Sequence, residues 1–404
     1  MSEIIKEAEA ARDKKGPYGE DIDLASFRRD VPIHESNPDL TCLSEAEREH
    51  LAGVGIVASA EERAGTFILK DHSPLHCSMA QEGVELLSIK TALERYGGLP
   101  DSWWKAVHPG TDKYTAQAAL ALDDGYFIRV RAGVKASFPV QACLFIGAEG
   151  IAQNIHNVVI AEPGSELHII TGCTTAPDLH RGLHVGVSEF FVQKGATVTS
   201  TMLHNWGDEI VVRPRTGVIV EEGATFMSNY VCLKSARSVQ MDPLVRLVGP
   251  NAVTRLNTIL VAAQGADFDV GGRVSLEAPG TRAEIISRTI TTGGNIVSRG
   301  LLTGWVPGVK AHLECSGLIL ADGGYIRAIP ELDGRVAGVE MSHEAAVGRI
   351  SQEEIEYLMA RGLSENEAAA LIVRGFLNVR MEGLPKDLQD EIDRIVDAFG
   401  KSVF

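Results

Sequence analysis

The 404-residue chain contains no apolar run near the roughly 18 residues needed to cross a bilayer as a helix. Its opening, MSEIIKEAEAARDKK, lacks the apolar core of a secretion signal, so the cytoplasm is the expected location. Cysteine is sparse: the six residues Cys42, Cys77, Cys143, Cys173, Cys232 and Cys315 form no CxxC pair and no tight cluster, which excludes a sequence-local structural zinc site. In a reducing compartment each is expected to be a free, buried thiol. Basic charge is in deficit, with 38 Lys and Arg against 54 Asp and Glu and a net charge of −16. With no basic patch to override that balance, neither nucleic acid nor an anionic membrane is expected as the main partner. The phosphate loop GxxxxGK[ST] and the dinucleotide motif GxGxxG are both absent, so nucleotide hydrolysis by this chain is not expected. The hexapeptide repeat of left-handed acyltransferase helices is absent too.

What remains is the composition of a folded protein: 45% hydrophobic, 23% charged, with 41 glycines. The length exceeds one ordinary core and suits two or three units, or one elongated body that adds layers. Residues 1–124 read as a helical or mixed N-terminal domain. Ser44 and Glu47 form a capping box, and Val84, Leu86, Leu87, Ile89, Leu93 and Tyr96 make an apolar stripe stopped by Gly97-Gly98.

From about residue 125 the texture changes to β-branched runs punctuated by glycine. Aligned on Gly133, Gly164, Gly195, Gly223, Gly249, Gly280, Gly308 and Gly334, these runs recur every 26 to 31 residues. A turn glycine followed by period-2 alternation at that spacing predicts seven or eight stacked coils of a parallel β-helix over 125–347. A sandwich fits less well, because its turns recur every 8–12 residues. Residues 348–404 return to helix, with capping boxes at Ser351–Glu354 and Ser364–Glu367 and a third helix over roughly 385–399. These helices are expected to cap the last coil, whose open edge would otherwise be exposed, and to offer a docking surface.

Residues at equal offsets from the turn stack in columns about 4.8 Å apart, and offsets of equal parity share a face. By this alignment column nine holds Ala142, Cys173, His204, Cys232, Thr258, Thr289, Gly317 and His343, with Cys315 in column seven of the penultimate coil. Cys315 and His343 then share a face on adjacent coils, two residues apart along the strand, where a thiolate and an imidazole can converge on one metal or cluster. Glu344 points the other way unless the strand bulges or ends there. Thiolate, imidazole and carboxylate together suit iron or zinc better than magnesium or calcium.

Each of these residues also has a purely structural reading. Cys173 and Cys232 pack as small hydrophobes, His204 is a buried hydrogen-bonded ring, His180 and His184 are solvated near a turn, and Trp103-Trp104 is a packing anchor.

The closing segment, Met341 to Glu354 (MSHEAAVGRISQEE), continues through Gly362 to Leu371-Ile-Val-Arg-Gly-Phe376 and resembles the C-terminal hallmark of the SufB/SufD family of iron–sulfur cluster assembly scaffolds. Supporting matches are Gly172-Cys-Thr-Thr-Ala-Pro177, Leu183-His184, Asn205-Trp206, Val297-Ser-Arg-Gly300 and Cys315-Ser-Gly-Leu-Ile-Leu-Ala-Asp322, covering about 170–380. The resemblance implies a right-handed parallel β-helix flanked by helical domains, dimerised through the end of the helix. It further implies a SufC-like ABC-type ATPase partner on the C-terminal helices, a transient cluster, expected as 4Fe–4S, at the dimer interface, and recipient apo iron–sulfur proteins. In the family the SufB-type cysteine falls on Cys315 and the glutamate on Glu344, while the SufD-type histidine falls on His343. Both halves of the site lie in this one sequence, which implies a homodimer. Two departures stand out. Ser342 replaces the usual glutamate before the histidine, and the cysteine that accepts sulfur in SufB falls on Val245. Sulfide is then used directly, or Cys173, Cys232 and His204 relay it through the interior.

Two rival functions are weighed. A carbohydrate-active β-helix enzyme would need carboxylates in a groove, for which Asp267, Asp269 and Arg273 are candidates. A structural adaptor of the ATPase would hold no cluster of its own.

Overall fold

The computed structural model describes residues 2–36, 40, 45–57, 62–234 and 236–377. It is 48% strand and 15% helix and forms a parallel β-solenoid of about eight turns. Among the described residues the strands make two sheets, one of 10 and one of 12 strands, that face each other across a single apolar interior. The sequence chooses this fold by combining one turn residue per coil with alternating strand positions. Every coil turns on a residue in the left-handed region: Gly133, Gly164, Gly195, Gly223, Asn251, Gly280, Gly308 and Gly338, with φ between 60° and 81°. After each turn the odd offsets face inward. One such column runs Leu167, Val198, Phe226, Thr254, Ala283, Ala311 and Met341, each the direct ladder partner of the next.

Two turn assignments differ from the sequence alignment. In the fifth coil Asn251 takes the left-handed position, since asparagine tolerates it, and Gly249 serves a different need. A Cβ at Gly249 would lie 1.9 Å from the backbone nitrogen of Glu222 in the previous coil. In the last coil the turn residue is Gly338, while Gly334 ends the strand Tyr325–Gly334. A third shift comes from two residues looped out near Pro139: Lys135 bridges Glu166, but Val140 already pairs with Ile169. Column nine therefore reads Leu144, Cys173, His204, Cys232, Leu260, Thr289, Gly317 and Val347.

The N-terminal region also departs from a separate helical lobe. Its apolar stripe splits into the strand Val84–Ser88 and the helix Ile89–Arg95, the latter capped by the Ser88 hydroxyl. The strand Gly65–Lys70 pairs in parallel with Val140–Ile146, so this region starts the solenoid rather than standing apart from it. The Ser44–Glu47 capping box, Cys42 and the helix expected over 385–399 lie outside the described residues. Residues 12–30 form a strap along the outside of the other sheet, irregular apart from a short 3-10 helix at Leu24–Ser26. It hydrogen-bonds through Arg28 to Gly150 and through the Glu20 carbonyl to Arg213.

At the far end, the helices Gln352–Met359 and Glu365–Leu377 do not cap the last coil. Val373 and Leu377 instead pack on the outer face of the sheet with Ile259, Val261 and Ile290, and Arg288 lies over the Phe376 ring. Ser364 and Glu367 form the expected capping box, but the Ser351 side chain makes no cap hydrogen bond. The strands Tyr325–Gly334 and Glu340–Gly348 thus end the solenoid with one edge unpaired among the described residues, exposing Tyr325, Leu332, Val336 and Val347. No helix among the described residues is long and apolar enough to cross a membrane.

Candidate functional site

The open end is where the sequence-marked residues gather. Cys315 lies in the strand Lys310–Ile319, on an inward column with Tyr230, Thr258 and Ser287 before it and Ala345 after it. It is 3% exposed. Burial pushes its thiol pKa up, a hydrogen bond with the Ser298 side chain opposes that, and the Glu314 carboxylate adds to it. A thiol so placed ionises when a cation arrives to replace the lost solvation.

His343 pairs with Leu313, on the inward column of Leu256 and Ile285. Among the described residues no coil covers it, and the ring is exposed. Cys315 and His343 thus share the inward face of adjacent coils with a two-residue stagger, about 8 Å between backbones. The offset runs opposite to the one expected, because the last turn is Gly338, yet parity and spacing survive the four-residue shift. Glu344 does not join them. The ladder from Lys310 to Leu318 against Glu340 to Gly348 is unbroken, so Glu344 stands beside Glu314 on the outer face. Among the described residues no three His, Cys, Asp or Glu side chains come together in one chain to hold a metal ion.

The interior column pairs Cys173 with His204 and His204 with Cys232 directly. All three are buried, and desolvation drives their pKa values apart from the ordinary ones: Cys173 well up, Cys232 up to about 12, His204 well down. Tyr230 is 2.9 Å from His204 Nδ1. Val245 is buried in the strand Leu244–Leu247. His184, expected at the surface, is instead buried, bonded through Nδ1 to Gln153 Oε1 at 2.9 Å, with its pKa lowered to about 3 by desolvation. His180 is exposed beside Asp208. Trp103 and Trp104 are a packing anchor: they enclose the His156 ring, whose Nε2 meets the buried Glu189 carboxylate at 2.8 Å.

The structure does not gather the residues expected to serve a carbohydrate enzyme into one free set. Asp269 is held by Arg299 at 2.6 and 3.0 Å, Arg273 by Asp242 at 2.7 Å, and Asp267 is exposed. Two residues the sequence reading did not single out for the site are Ser287 and Ser298, 3.0 Å apart beside Cys315. The Val297-Ser-Arg-Gly300 run already contained one of them, but its role needed the facing strand to be seen.

Residues 144–376 match the family model described as SUF system FeS cluster assembly, SufBD core domain. The chain belongs to the SufBD family. It is 47% identical over 403 residues to an iron–sulfur cluster assembly SufBD family protein of Methanothermobacter thermautotrophicus strain Winter, covering 98% of each chain. It is 46% identical over 351 residues to one from Archaeoglobus fulgidus, covering 87% of this chain and 94% of that one. Against the iron–sulfur cluster assembly protein SufB of Bacillus subtilis it is 28% identical over 359 residues, 88% and 75% of the two chains. SufBD membership makes this an iron–sulfur cluster assembly protein.

Proposed function

We propose that this SufBD protein is a scaffold on which a transient iron–sulfur cluster, its cargo rather than a resident cofactor, is built at a homodimer interface. The observation that carries the proposal is the pairing of a buried thiol, Cys315, with an uncovered imidazole, His343, on one face at an unpaired solenoid end. A second copy meeting that end supplies the further ligands that one chain does not gather. Glu344 stands on the outer face, away from its own Cys315, and is therefore assigned to the partner's half of the site. Iron binding by Cys315 releases the thiol proton, and the raised thiol pKa makes that step depend on the metal. Nuclearity of four iron atoms is part of the proposal, as are recipient apo proteins and work in the cytoplasm.

ATP hydrolysis is assigned to a SufC-like partner docked on the C-terminal helices. The observation in favour is that Tyr357, Met359 and Leu371 are exposed on helices that, among the described residues, pack along one side of the solenoid. Cys173 and Cys232 are assigned to packing rather than to a sulfur relay, since burial holds both as neutral thiols and a relay needs thiolates.

The test is anaerobic reconstitution of the full chain with iron and sulfide, read by visible absorption and Mössbauer spectra. Wild type forms a cluster, Cys315→Ala forms none, and His343→Ala falls several-fold. Equal cluster content in all three would overturn the assignment.

A further inference from the structure

One inward column of the solenoid is polar where its neighbour is not. Successive ladder partners on it are Tyr230, Thr258, Ser287 and Cys315, beside a column that runs Leu256, Ile285 and Leu313. A buried hydroxyl weakens an apolar core unless it finds a hydrogen-bond partner. Ser287 and Ser298 find each other, with their oxygens 3.0 Å apart and the residues 6% and 3% exposed. Ser298 arrives from the facing sheet, on the strand Asn295–Gly304, and its side chain is also the hydrogen-bond partner of the Cys315 thiol. Two hydroxyls and a thiol thus form one short chain inside the solenoid.

The chain has a direction. Ser287 and Ser298 stand on consecutive strands of one coil, Arg282–Thr292 and Asn295–Gly304, while Cys315 stands on the first strand of the next. Both hydroxyls therefore lie on the side of the sulfur away from the open end. Toward the open end the ladder partner of Cys315 is Ala345 and that of Ser298 is Ala328, and neither methyl group can hydrogen-bond to sulfur. His343 stands two residues before Ala345 on the last described strand. The sulfur thus has hydroxyls behind it, and small side chains and an exposed imidazole in front. A thiol can donate its proton to a hydroxyl or accept one from it. Once iron has displaced that proton the sulfur only accepts, so the Ser298 hydroxyl donates to it while the Ser298 oxygen accepts from the Ser287 hydroxyl.

We infer that Ser298, backed by Ser287, is a positioning residue for the iron–sulfur cargo: it donates a hydrogen bond to the Cys315 sulfur from behind and leaves the sulfur's other lone pairs to iron at the open end. The inference rests on the scaffold reading and deepens it, because it names what holds the liganding sulfur in place and tunes it. A hydrogen bond to a liganding sulfur draws electron density from it, which makes the cluster easier to reduce. Ser298 touches neither iron nor sulfide and acts through Cys315.

The experiment follows the full chain without metal and after anaerobic reconstitution with iron and sulfide, with the fold of each variant checked by circular dichroism. In the metal-free protein the infrared S–H stretching band of Cys315 is isolated by subtracting the spectrum of Cys315→Ala. Ser298→Ala, which removes only an oxygen, moves that band to the position of a thiol without a hydrogen bond, whereas Ser298→Thr keeps the hydroxyl and leaves the band in place. In the reconstituted protein the ratio of reduced to oxidised cluster at a fixed solution potential falls at least threefold in Ser298→Ala and stays within twofold of wild type in Ser298→Thr. A serine that only packs would leave band and ratio alike unmoved. An unchanged band or an unchanged ratio in Ser298→Ala overturns the inference, and so does a change that Ser298→Thr fails to reverse. Cluster content separates the two levels: a wild-type cluster with either readout unchanged removes Ser298 and leaves the scaffold, whereas no cluster in wild type removes the scaffold and the role of Ser298 with it.

Discussion

Cys315 and His343 sit where they do because both are odd-offset residues on the last two described strands of one sheet, and among the described residues the second of those strands has no covering coil. The thiol is therefore dry and the imidazole wet. Deeper inside, His184 and His204 are kept neutral by burial, and this has a measurable consequence. The unfolded chain takes up a proton on each near the ordinary histidine value of 6.5, whereas folded His184 waits until about 3 and His204 lies well below 6.5 as well. The unfolded state thus binds more protons below pH 6.5, so stability is full above that value and declines as the pH falls. The slope is up to about 1.4 kcal/mol per pH unit for each ring. Urea midpoints measured from pH 7 to 5 should fall accordingly, and His204→Gln should flatten the decline, while an unchanged slope would remove His204 from this account. The residues proposed for the site were read from the sequence, in the Cys315 and Ser342-His343-Glu344 segments, and the structure puts Cys315 and His343 on one face and Glu344 on the other. Burial was not legible there: nothing local distinguishes solvated His180 from His184, because what encloses the latter is Gln153 on the preceding coil.

At the scale of elements, one turn residue per coil sets the register of every strand after it. The repeat was visible because glycine fills seven of the eight left-handed positions, and it slipped at the fifth coil because Asn251 fills that one. Asn251→Gly should leave stability unchanged or slightly higher. Asn251→Val, with a branched side chain at φ 60°, should cost about 1–2 kcal/mol in urea unfolding, and no loss would show that this turn is not strained. Ser364→Ala removes a formed capping box and should weaken the start of the helix Glu365–Leu377 by about 1 kcal/mol. Faster amide exchange over 365–368 is the reading that checks it. The alternation of the strands fixed their faces, and so correctly set Glu344 opposite Cys315, but it did not say how the C-terminal helices pack. Their apolar side finds Ile259, Val261 and Ile290 on the outer face of the sheet, a surface that period-2 alternation marks no differently from a solvated one.

At the scale of the whole molecule, the described residues close the solenoid at its start with the N-terminal strands and leave its end open. The strand edge unpaired among the described residues, beside exposed Tyr325, Leu332, Val336 and Val347, is the surface proposed for a second copy, and pairing there would bring two Cys315–His343 faces together. Sequence reasoning reached the same open end but closed it with helices, because it had no means of placing them. The central claim is that the cluster needs this interface. The most direct measurement is the iron and sulfide content of reconstituted Tyr325→Glu/Leu332→Lys protein, whose oligomeric state is fixed by light scattering and whose fold is checked by circular dichroism. The account predicts a folded monomer that retains Cys315 and His343 yet holds less than a tenth of the wild-type cluster. A folded monomer with wild-type cluster content would contradict it.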